Sequence, residues 1–175
     1  MHTKIIWFTG LSGSGKTTLA NTFYKLLKRK KYKTKRVDGD VFRKKKKRLD
    51  NFTKKNIIKN NLSIINYISK IKYKYEYILV AVISPILKTR QIAKKRFGNH
   101  YYEIYVHCSI KTLERRDTKG LYADARKKII KNLIGYNSLI EYQKSRYSKI
   151  DINTDKFNLK KCIQIIKNKI NLKST

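Results

Sequence analysis

Residues Gly10-Leu11-Ser12-Gly13-Ser14-Gly15-Lys16-Thr17 carry every fixed position of a phosphate-binding loop. They stand between a short apolar run, Ile5-Ile6-Trp7-Phe8, and a helix-forming run that begins near Thr17 and Thr18. Glycines let successive backbone N–H groups turn toward one point at a helix start, where they cradle anionic oxygens. Lys16 has the reach to meet β- and γ-phosphates, and the Thr17 hydroxyl is a ligand for Mg²⁺. A complete loop between a strand and a helix is a specific signal for a nucleoside triphosphate site.

That loop fixes the architecture to expect. Apolar runs suited to buried strands occur at 5–9, 35–37, 77–83, 103–107 and 149–152, with helical candidates between them at 17–30, 55–71, 87–97, 112–116, 123–133 and 159–170. Short strands alternating with longer helices predict an α/β phosphate-loop NTPase fold, a mostly parallel five-stranded sheet with helices on both faces. At 175 residues a single domain accounts for the whole chain, with a basic segment near 115–135 expected as its lid. Pro85 follows the third strand and helps to end it.

Charge limits the partners. Lys plus Arg number 44 against 11 acidic residues, a formal net charge of +33. Such a field favours anionic ligands and non-specific contact with nucleic acid. The lysines are nevertheless dispersed among Asn, Ile and Tyr, and motifs that read DNA or RNA are missing. A basic nucleic-acid-binding protein with an ATP-binding domain is the alternative reading, and physiological nucleic-acid binding is not expected. Cys108 and Cys162 are too few for a disulfide framework or a zinc site, and Cys108 reads as buried filler. The first residues already build the phosphate loop and Lys16 interrupts any apolar stretch, so no membrane segment is expected and the cytoplasm is the expected compartment.

Two further clusters carry chemistry. The second strand ends in Val37-Asp38-Gly39-Asp40, followed by Val41-Phe42-Arg43. Ligands of open parallel sheets bind beyond the strand C-termini, so both carboxylates should face the phosphate loop. One would organise hydrated Mg²⁺ and the other accept a proton from an attacking hydroxyl, and the residues leave open which does which. The third strand ends in Val82-Ile83-Ser84-Pro85, without the terminal Asp that often helps to hold Mg²⁺; this argues against a switch GTPase. Ser84 reads either as a substrate contact or as a strand-end cap. Arg115-Arg116-Asp117-Thr118-Lys119-Gly120-Leu121-Tyr122 reads as a lid whose arginines neutralise a migrating phosphoryl group while Gly120 lets it bend, or as a plain charged turn.

Taken together, GLSGSGKTT at 10–18, DGDVFR at 38–43, ISP at 83–85 with Arg90, and RDTKGLYADAR at 116–126 resemble the adenylylsulfate kinase family. The resemblance runs from about Ile5 through Thr154. It implies transfer of the ATP γ-phosphate, with Mg²⁺, to the ribose 3′-hydroxyl of a nucleotide conjugate. By position it implies Asp40 as general base, with Lys16 and Asp38 as its catalytic companions and Asp38 and Thr17 at the metal. It implies a donor site of Gly10, Ser12, Gly13, Ser14, Gly15, Lys16, Thr17, Thr18, Arg116 and Thr154, the last near adenine. On the acceptor side it implies Asp40, Arg43, Phe52, Asn60, Ile83, Ser84, Lys119, Gly120 and Leu121. A homodimer is also implied. The chain departs from the family pattern where acceptor arginines are expected, at Ile57, Leu62 and Ser63, and where an aromatic would cover the acceptor base, at Leu133. Adenosine 5′-phosphosulfate and cytidine diphosphoramidate, the acceptor of a divergent branch associated with capsule modification, are therefore both candidate acceptors.

Overall fold

The computed structural model describes residues 3–45, 53–145, 148 and 150–172, with the side chains of 43–45 excluded. Among the described residues, β1 (Lys4–Thr9), β2 (Thr34–Asp38), β3 (Tyr77–Ala81), β4 (Tyr101–His107) and β5 (Ile150–Asn153) form one sheet in the order β2-β3-β1-β4-β5. Every pairing is parallel. Helices α1 (Lys16–Arg29), α2 (Gly39–Lys45), α3 (Lys54–Ile71), α4 (Leu87–Phe97), α5 (Ile110–Arg116), α6 (Leu121–Arg126) and α7 (Leu159–Lys169) follow or connect the strands.

Strand β1 lies in the middle because both of its faces are apolar. Successive side chains of a strand point to opposite faces. Ile6 and Phe8 accordingly pack with Leu19, Phe23 and Leu27 of α1 and Cys162 and Ile166 of α7. Ile5 and Trp7 pack with Ile64, Ile65 and Ile68 of α3 and Ala93 and Phe97 of α4. The helices present matching stripes: in α1 the buried Leu19, Phe23 and Leu27 recur every four residues, while Lys28 and Arg29 sit in the last turn beside the free carbonyls. Thr53 caps α3 by accepting a hydrogen bond from the Asn56 amide at 3.2 Å, and Asn158 caps α7 through the Lys161 amide at 2.9 Å.

Three elements differ from the sequence expectation. The helix expected over 123–133 is α6, which ends at Arg126. Its C-terminus closes in a reverse turn: Lys128 takes φ 61°, and the amides of Lys128 and Ile129 donate to the Ala125 and Asp124 carbonyls at 3.1 and 2.9 Å. That turn lets Leu133 fold back onto Leu113 and Tyr122. Strand β3 stops at Ala81 rather than Ile83, because beyond it the Ile83 carbonyl accepts from the Thr9 hydroxyl (2.6 Å) and the chain turns at Ser84, φ 46°. Helix α2 was not expected. Its cap is Asp38, whose Oδ1 accepts the Asp40 and Val41 amides at 3.0 and 3.4 Å.

Candidate active site

At the C-terminal edge of the sheet a cleft of about 780 Å³ brings together the phosphate loop, Asp38, Asp40, Ile83, Arg116, Lys119 and Thr154. The chain enters it through Gly10, which lies so close to β4 that a Cβ would fall 1.9 Å from the Val106 carbonyl oxygen, at φ 140°. Only glycine fits there. The loop then turns by the Ser14 amide donating to Leu11 O (3.3 Å), and α1 starts with Leu19 N to Gly15 O at 3.0 Å.

The loop has the features of an anion cradle. Lys16 is buried, its Nζ donates to Leu11 O at 2.6 Å, and burial lowers its pKa to about 8 against the opposing pull of Asp40. The buried Ser14 hydroxyl has no hydrogen-bond partner among the described residues, whereas Thr17 and Thr18 are exposed to the cleft. Among the described residues no group of three His, Cys, Asp or Glu side chains could hold a metal unaided. The donors present, the Thr17 hydroxyl and the Asp38 carboxylate, suit Mg²⁺, which keeps several waters and binds through one or two protein oxygens plus substrate phosphates.

Opposite the loop, Lys119 forms an ion pair with Asp40 Oδ2. Lys119 is carried by the turn before α6, where Gly120 takes φ 68°, and Asp117 shapes that turn by accepting the Tyr122 and Ala123 amides at 3.0 and 2.8 Å. Arg116 donates through both terminal nitrogens to Thr154, at 2.9 Å to Oγ1 and 3.0 Å to the carbonyl, and Thr154 Oγ1 donates to Ser14 O at 3.2 Å. Arg116, expected in the donor site, and Thr154, expected near the donor's adenine, are thus joined to each other and to the loop.

The acceptor-side residues divide. Ile83, Lys119 and Asp40 line the cleft. Ser84 is not part of that lining: it is buried, with its hydroxyl 3.4 Å from that of Thr89. Leu121 packs inward with Leu113 and Tyr122, outside the cleft lining. Asn60 is buried on α3, its Oδ1 without a hydrogen-bond partner among the described residues. The side chain of Arg43, and Phe52 entirely, lie outside the described residues. Ile57, at an expected arginine position, packs with Ile86 and Ile134 beside Ile83. Leu133 joins the Leu113–Tyr122 cluster. Cys108 is half-buried rather than buried, and Cys162 is buried.

Sequence reasoning missed Tyr122. Its buried hydroxyl donates to the Ser12 carbonyl at 2.9 Å, tying α6 to the phosphate loop. Nothing in the order of residues marks a contact across that separation.

Comparison with known proteins identifies the lineage. The adenylylsulphate kinase family model matches residues 2–153. The chain belongs to this family. It is 38% identical over 152 residues to the adenylyl-sulfate kinase of Halothermothrix orenii, covering 86% of this chain and 80% of that protein. To the adenylyl-sulfate kinase of Clostridium acetobutylicum it is 35% identical over 163 residues, covering 93% and 80%. Among solved structures, the APS kinase CysC of Mycobacterium tuberculosis in complex with AMPPNP and APS superposes with a TM-score of 0.84 at 26% identity, covering 97% of this chain and 98% of that one. The five-stranded parallel sheet with helices on both faces is the family's kinase fold.

Proposed function

We propose that this chain is an ATP-dependent, Mg²⁺-requiring kinase that phosphorylates the ribose 3′-hydroxyl of a nucleotide conjugate. The observation that carries the reading is one cleft in which a complete phosphate loop faces Asp40, in a chain of the adenylylsulphate kinase family. The loop amides and Lys16 would hold the donor's phosphates, and Thr17 and Asp38 would hold Mg²⁺, which supplies charge neutralisation at the transferred group. Asp40 takes the proton as the acceptor oxygen bonds to phosphorus and the bridging bond to ADP breaks. Lys119, released from Asp40, is free to meet the conjugate's anionic linkage.

Adenosine 5′-phosphosulfate and cytidine diphosphoramidate are the candidate acceptors. The apolar cluster of Ile57, Ile86 and Ile134 beside Ile83 favours a less charged terminal group than arginines would select. The kinase domain spans the chain, with the segment near 115–135 as its lid, acting as a cytoplasmic homodimer. No helix among the described residues is long and apolar enough to cross a membrane. Equal concentrations of the two acceptors competing for Mg²⁺-ATP test the reading. Product mass identifies the transferred group and phosphorus NMR locates it at the 3′ position. Phosphorylation of neither acceptor overturns the assignment, and kcat/KM decides between them.

A further inference from the structure

Arg90 on α4 has a fully buried side chain, and all three of its nitrogen positions are engaged. Nε donates to Glu103 Oε1 at 3.1 Å, one terminal nitrogen donates to the Ser84 carbonyl, and the other to the Gln143 carbonyl. The guanidinium also lies 5.0 Å from the centre of the Tyr142 ring. The Tyr142 hydroxyl sits 2.8 Å from Thr9 Oγ1, which itself donates to the Ile83 carbonyl. The Gln143 amide donates to Pro85 O at 3.0 Å, and Gln143 Oε1 accepts the Leu87 amide at 2.7 Å. Ser84 is therefore held through its carbonyl by Arg90 directly, Pro85 through Gln143, and Ile83 through Thr9, whose partner Tyr142 lies against the guanidinium.

A buried cation is costly unless its donors are all satisfied. Here one donor meets the segment directly at Ser84 and a second holds Gln143, which in turn pairs with Pro85; the segment forms a wall of the cleft at Ile83 and carries the left-handed Ser84 at φ 46°. The phosphate loop is fastened elsewhere, by Tyr122 to Ser12 and by Thr154 to Ser14. Its backbone link to the wall is the long 3.4 Å contact from Gly10 N to Ile83 O.

We propose that Arg90 is a positioning residue that sets the Ile83–Pro85 wall for the acceptor while leaving the donor loop unaffected. The acceptor part rests on the kinase reading above. Lysine keeps the charge but offers a single nitrogen, so it cannot span Glu103, Ser84 and Gln143 at once. A wall displaced by about 1 Å is enough to cost on the order of a hundredfold in an aligned transfer.

Arg90→Lys and Tyr142→Phe should be compared with the wild-type protein, with ATP and acceptor varied separately. Arg90→Lys is expected to lower acceptor kcat/KM at least about tenfold while the KM for ATP moves less than about twofold. Tyr142→Phe, which keeps the ring and loses only the bond to Thr9, should change the same quantities in the same direction by a smaller factor. Amide hydrogen exchange supplies a readout independent of turnover. In Arg90→Lys the Leu87 and Gln143 amides should lose protection while the Ser14 and Leu19 amides keep theirs. Equal changes in both substrates' constants, or equal protection changes in wall and loop, overturn the proposal, as does no change in either. If the wild type phosphorylates neither acceptor, the kinase reading fails alone, and the exchange pattern still decides the wall's dependence on Arg90.

Discussion

Lys16 shows how burial and charge are set against each other at a single residue. Burial has moved its pKa from 10.5 to about 8, which corresponds to about 3 kcal/mol against the charged form. Because the folded value lies below the unfolded one, the unfolded chain binds more protons between about pH 8 and 10, and this group's contribution to stability rises with pH across that window. Above it buried tyrosines act oppositely: Tyr77 is raised to about 12, so its contribution falls as the unfolded phenol ionises first. A phosphate beside Lys16 restores the cation, so ATP binding near pH 9 should take up a proton. Calorimetry in buffers of different ionisation enthalpy measures this uptake, and Lys16→Met should abolish it. At Asp40 the expected outcome of Asp40→Asn is a fall in kcat on the order of a thousandfold with little change in the KM for ATP. Comparable turnover in steady-state assays would remove Asp40 as the base.

At the scale of elements, the phosphate loop is secured by its neighbours more than by its own bonds. Tyr122→Phe deletes the hydroxyl that reaches Ser12 O and leaves a buried carbonyl unpaired, a loss of about 1–2 kcal/mol. Urea unfolding should register that loss, and the KM for ATP should rise, since the carbonyl belongs to the loop. The β1–loop–α1 unit was legible in the sequence because a motif, an apolar strand and a helical stripe coincide within 30 residues. Helix α4 was legible end to end, from Leu87 to Phe97. Helix α2 was not, since seven residues carry too little periodicity; its one sign was an Asp cap followed two positions later by Asp40. The end of α6 escaped because Lys128 adopts a left-handed conformation that its residue type does not advertise. Arg116 is assigned to the site from its motif and Thr154 from the family resemblance. Their bond to one another is a property of tertiary structure, across 38 positions.

For the molecule as a whole, 44 basic residues against 11 acidic ones make repulsions far more numerous than the ion pairs that could offset them. Added salt should therefore stabilise the fold. Tm is expected to rise by several degrees between about 20 and about 300 mM NaCl, as the Debye length falls from roughly 20 Å to below 10 Å. A flat or falling Tm in a calorimetric scan would mean that attractive pairs dominate instead. Any association with nucleic acid should weaken steeply over the same range, the mark of contact with phosphates alone.

In the resting protein the carboxylate opposite the phosphate loop is already engaged by Lys119. A water molecule that wandered in beside bound ATP would find that oxygen occupied, so idle hydrolysis should stay slow until a sugar nucleotide draws the ammonium group away. On the proposed reading, that contact makes arrival of the second substrate the event that frees the base.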